Sequence, residues 1–170
     1  MFRPLIGWAT AWSFDRLRLW LEDGVDPATS LRQTVVHEIS RVAAAFIWIY
    51  QGLVPKLLFA NADETTMLQA AGVASEHAAT ILNAVGLAEV TFGLVLLITR
   101  RTKPLFVLTA LLMVIAVINV ALRSPSYLTA AFNPVSLNMG MIALCAIGIL
   151  SGRDLPSASR CRRKQTDRTG

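Results

Sequence analysis

Residues 78–99 read AATILNAVGLAEVTFGLVLLIT, a stretch with one ionisable side chain, Glu89, and no proline. A helix of that length rises about 33 Å, enough to cross a hydrocarbon core of about 30 Å. A helix on the surface of a soluble domain keeps a polar face toward water; this one is apolar on every side. Three more stretches of the same kind, 42–59, 104–122 and 134–150, bring the expected spans to four. With a mean hydropathy of +0.53, the 170-residue chain reads as all-α, a transmembrane four-helix bundle. The connections are too short for a second core, so one membrane domain is expected at 41–150, between a leading segment 1–40 and a tail 151–170.

Charge sets the expected orientation. Of 16 Lys and Arg residues, fourteen lie before the first span, in the second connection (Arg100, Arg101, Lys103) or after the last span. Only Lys56 and Arg123 lie on the other side. The positive-inside bias then places both termini in the cytoplasm, in a multi-pass protein of the cytoplasmic (inner) membrane. The net charge of +5 is thereby assigned to topology and anionic headgroups, and no nucleic acid partner is expected.

The leading segment carries Leu5, Trp8, Trp12 and Leu19 near helical spacing, with Trp20 beside them, the pattern of an interfacial helix anchored at headgroup level. No removable signal sequence is expected there, which leaves the first span to direct insertion. Asp26 followed by Pro27 is a helix-start pattern, and no breaker follows until Pro55. Asn133 before Pro134 repeats that pattern at the fourth span. The connection 60–77 is long enough for one short amphipathic helix, and 100–103 is a tight hairpin. From Arg153 onward the chain is polar, basic and without apolar periodicity, the composition of a disordered tail.

Soluble-enzyme motifs are absent, with no phosphate loop, HExxH or GxSxG, and no repeat. Cys145 and Cys161 form neither a CxxC pair nor half of a zinc site, and Cys145 reads as a small buried hydrophobe. No metal site and no catalytic residue is expected, and the chain on its own is not read as an enzyme.

Polar side chains within the spans carry the functional reading. Lys56, Asn83, Asn119 and Asn138 come from four different helices, each about 5 to 8 Å from the same end of the bundle at 1.5 Å per residue. Gln51 and Glu89 lie deeper. A carboxyl at the depth of Glu89 has to be protonated, paired or wet. Lys56 is its natural partner, and the pair serves equally as a structural lock or as a ligand or proton site. Pro55 has no N–H for the Gln51 carbonyl and so frees an acceptor beside Gly52. Gly86 and Gly93 let a neighbouring helix come close to the second span.

The motifs YQGLVPK (50–56), NAVGLAEVTFG (83–93) and AFNPVSLN (131–138) resemble the DoxX-like family of small four-helix membrane proteins. The resemblance covers about 41–150. It implies a four-helix bundle with cytoplasmic termini, and Lys56 and Glu89 match the family's polar pattern. Some relatives look like membrane subunits of quinone-linked oxidoreductases, thiosulfate oxidation among them, and others accompany redox-stress complexes. The leading expectation is an accessory subunit with a quinone or lipid at Lys56, Glu89, Gln51, Asn83, Asn119 and Asn138, beside a separate soluble or membrane redox partner. A structural or assembly protein without a ligand is the alternative, and a small proton-coupled transporter a third. The sequence leaves the oligomeric state open.

Overall fold

The computed structural model describes residues 3–123, 125–129, 133–153 and 155–161, and among these it is helical without strands. Six α-helices follow in order: α1 (Arg3–Asp23), α2 (Pro27–Gln51), α3 (Ala62–Ala70), α4 (Ser75–Ile98), α5 (Thr102–Arg123) and α6 (Pro134–Ser151). The helix starts obey their capping side chains. Asp26 Oδ2 accepts the Thr29 N–H at 3.0 Å, and Asn133 Oδ1 accepts the Ser136 N–H at 2.8 Å. Gly24, at φ +69°, ends α1 in the left-handed conformation, and Val25 N–H closes the end on Leu19 O.

Three helices, α4, α5 and α6, are individually long and apolar enough to span a membrane. The first expected span is different in kind. After Gln51 the chain passes into a π-helical turn, Gly52–Leu58, with Pro55 inside it, and then bends by 95° into α3; only the bent pair taken together meets the test for a span. Pro55 cannot close the α-register bond to Gln51 O, and the wider turn steps past it. Ala60, at φ 43°, and the Asn61 side chain capping Asp63 N–H complete the bend. The short helix expected in 60–77 is therefore α3, although none of its residues is buried. At the hairpin, α5 begins at Thr102, earlier than Pro104, because proline is tolerated in a first turn.

The chain divides into two compact units, residues 37–150 and residues 1–36 with 151–170. The core of the first is Ala44, Ala45, Trp48, Leu96, Phe106, Met141 and Cys145, so Cys145 is the buried hydrophobe expected. Trp48 donates to Thr109 Oγ1 at 3.2 Å and stands edge-on to Phe92. The second unit is built on α1, which buries Ala11, Asp15 and Leu19 at four-residue spacing and exposes Leu5, Ile6, Trp8, Phe14, Leu17, Trp20 and Leu21. Within the segment read as a disordered tail, residues 155–161 fold onto Asp15; 162–170 lie outside the described residues.

Asp15 is fully buried and heavily partnered. Its carboxylate accepts the Ser157 N–H at 2.7 Å and Arg18 Nε at 3.0 Å, with Arg160 3.5 Å away and the Cys161 thiol at 3.8 Å. Burial alone would push its pKa up; the Ser157 N–H and the two arginines outweigh it and hold the carboxyl below its ordinary value. A depressed carboxylate stabilises above its unfolded pKa and ceases to as pH falls through the folded one. Protection of the Ser157 amide against hydrogen exchange, corrected for intrinsic rate, should therefore persist through mild acid and collapse only below the ordinary carboxylate range. Asp15→Ala should abolish that protection at neutral pH, a loss of about 1–3 kcal/mol of local stability.

Candidate functional site

The site is made possible by the contact of the first helix with α4. A methyl group added at Gly86 would lie 2.9 Å from Gly52 O and 2.9 Å from Lys56 Cβ; one at Gly93 would lie 2.7 Å from Ile49 Cγ1 and 2.9 Å from Ala45 O. Backbone touches backbone along this seam, as small residues permit in a membrane. Glu89 stands between the two glycines of α4 and is carried by them against the π-helical turn.

There Lys56 Nζ lies 3.0 Å from Glu89 Oε2, 3.3 Å from Glu64 Oε1 and 3.3 Å from Gln51 O. The expected Lys56–Glu89 pair is thus formed, and the carbonyl that Pro55 leaves free is met by the same ammonium. The lysine side chain is 8% exposed and Glu89 17%, whereas Glu64 is 30% exposed. Glu89 Oε2 is buried and has no hydrogen-bond donor at a good angle, so its contact with Lys56 is ionic without being directed. One ammonium against two carboxylates leaves one negative charge uncompensated, which a proton or a hydroxyl donor would relieve.

The other expected site residues are placed apart from this cluster. Asn138 is buried on α6, while Asn83 on α4 and Asn119 on α5 are exposed. Among the described residues no hydrogen bond or ion pair joins any of the three to Lys56. Equal depth is not equal facing: at 100° per residue Asn83 is turned about 120° from Glu89, off the seam that the glycines define. Gln51 contributes its backbone carbonyl, and its side chain is half-buried.

A model of the DoxX-like family matches residues 45–146, a range that contains Gln51, Lys56, Glu64, Glu89 and Asn138. The chain belongs to the DoxX-like family. The uncharacterized membrane protein YndG of Bacillus subtilis (strain 168) is 46% identical over 52 residues, which is 31% of this chain. The match spans 19% of that relative's length. No solved structure matches.

Two residues of this DoxX-like bundle escaped the sequence reading. Glu64 looked like a solvent residue of a connection; its only signal was a lone carboxylate following a lone lysine across a helix breaker. His37 was set aside with Glu38, which pairs instead with Arg41 at 2.6 Å. His37 is buried, with Nδ1 2.8 Å from Gly148 O and Nε2 3.0 Å from Thr102 Oγ1. A carbonyl can only accept, so Nδ1 carries the hydrogen, and the neutral ring takes the Thr102 hydroxyl on Nε2. This joins α2 to α5 and α6 at the end where Phe106 covers Gly148.

A stability cycle checks the Lys56–Glu89 pair. Lys56→Met or Glu89→Gln alone should lower stability by about 3–5 kcal/mol, since each strands a buried group, and the double variant should recover most of the loss. Gly86→Val should destabilise without any change of charge. Thermal unfolding in one fixed detergent reads all four.

Proposed function

We propose that this chain is an accessory subunit of a quinone-linked redox system in the cytoplasmic membrane, with both termini cytoplasmic and no catalysis of its own. The observation that supports it is Glu89 Oε2, a buried acceptor lacking a directed donor beside an ammonium at the depth of a membrane span. The residues suit such a ring: Lys56 Nζ is a donor for the carbonyl oxygen of the oxidised form, and Glu89 Oε2 an acceptor for the hydroxyl of the reduced form. Glu64, on a helix with no buried residue, is the acceptor that Lys56 can most readily give up. A bound quinone supplies two-electron, two-proton chemistry, with its electrons drawn from a partner subunit. The chain's part is to orient the ring and to hold a proton at Glu89.

A second reading rests on its own observation. Three acceptors surround the three N–H groups of Lys56, and the glycine seam fixes the helices that bring them, which is what an assembly protein without a ligand needs.

Mass spectrometry of the organic extract from detergent-purified protein separates the two. Wild type, Glu89→Ala and Lys56→Ala are compared at matched folding. Under the redox reading a stoichiometric quinone accompanies wild type and is lost from both variants; three extracts with the same bulk lipids would leave the assembly reading.

A further inference from the structure

Two polar side chains face away from the bundle at one level. Asn83 lies fifteen residues before the end of α4 and Asn119 seventeen after the start of α5, so on the two arms of the hairpin they stand about 23 and 26 Å from its turn. Both are exposed, and among the described residues neither has a hydrogen bond, ion pair or other polar partner. From Ala110 to Leu122, Asn119 is the only polar residue. An amide there presents two N–H donors and a carbonyl to hydrocarbon, which satisfies none of them.

Their surroundings are unpacked as well. The buried residues of α5 are Thr102, Phe106 and Thr109; none is buried from Ala110 onward. One turn either side of Asn119, Ile115 is 60% exposed and Leu122 76%, and beside Asn83 Leu87 is 61% exposed. We propose that this face of the α4–α5 hairpin is the interface between two copies of the chain, with the amides of Asn83 and Asn119 hydrogen-bonded across it.

A second copy fits for a reason of geometry. Copies inserted with the same topology place the same residue at the same depth, so a two-fold axis along the membrane normal brings each asparagine level with its counterpart. An amide is both donor and acceptor and therefore complements itself. A partner of different sequence would need a matching group at that depth; a copy has one by construction. The inference is independent of any quinone site, because Asn83 and Asn119 lie apart from Lys56.

The test is energy transfer between two singly labelled pools of full-length protein in liposomes, titrated by protein-to-lipid ratio. Wild type should associate. Asn119→Leu and Asn83→Leu should each weaken association roughly three- to twentyfold for every hydrogen bond lost, and Asn119→Gln should retain it. These side chains have no polar partner in the chain, so thermal unfolding of the variants should match wild type, which separates lost association from misfolding. Ile115→Cys in a Cys145→Ala, Cys161→Ser background should give a copy-to-copy disulfide on oxidation. Wild type monomeric at every ratio would overturn the proposal, as would association indifferent to both leucine variants, or an Ile115→Cys cross-link formed in native membranes only to another protein.

Discussion

Everything distinctive in the larger unit depends on the absence of side chains where the first helix meets α4. Gly52 and Gly86 place each other's carbonyls within the radius a methyl group would need, and Gly93 does the same against Ala45 and Ile49. Between apolar helices in lipid there is little hydrophobic gain to draw them together, so close van der Waals contact and polar bonds must suffice. The glycines provide the first and, by closing the distance, make the second possible. With ordinary side chains on that seam, Glu89 would be held away from Lys56 and left charged or protonated in hydrocarbon.

The proline works by a different route to the same place. By withholding one N–H it widens the helix into a π turn, and the chain then bends sharply at Ala60. The bend returns Glu64 to within reach of the lysine eight residues behind it. A straight helix would have carried Glu64 about 12 Å further along the axis. A defect in regular structure thus builds the three-sided surround of Lys56, and π turns of this kind are frequent at functional sites.

The sequence is explicit about some of this and silent about the rest, for identifiable reasons. Helix starts at Asp26–Pro27 and Asn133–Pro134, the Lys56–Glu89 pair and the freed Gln51 carbonyl all follow from rules local to one helix or one charge. Depth is also local, because it is counted along one helix from its end. Facing is not: whether Asn83 points inward depends on which side of α4 the neighbours choose, and in an all-apolar span nothing in the sequence marks that side except the glycines. Glu64 and His37 needed the bend and the packing of α5 and α6, which are properties of the tertiary structure. Asp15 needed the return of residues 155–161, whose polar composition carries no apolar period to announce a fold.

The bent first span has a bearing on biogenesis. Unlike α4, α5 and α6, it does not qualify as a span without α3, and it carries an ammonium whose strongest counter-charge, Glu89, is synthesised thirty-three residues later on another helix. Until α4 emerges, Lys56 has only the Gln51 carbonyl and Glu64 to lean on. The first helix and α4 are therefore suited to enter the bilayer as a hairpin, with the salt bridge and the glycine seam closing together. Once the two have joined, neither can leave the bilayer without exposing a charge to hydrocarbon, so the pair acts as a ratchet on its own insertion.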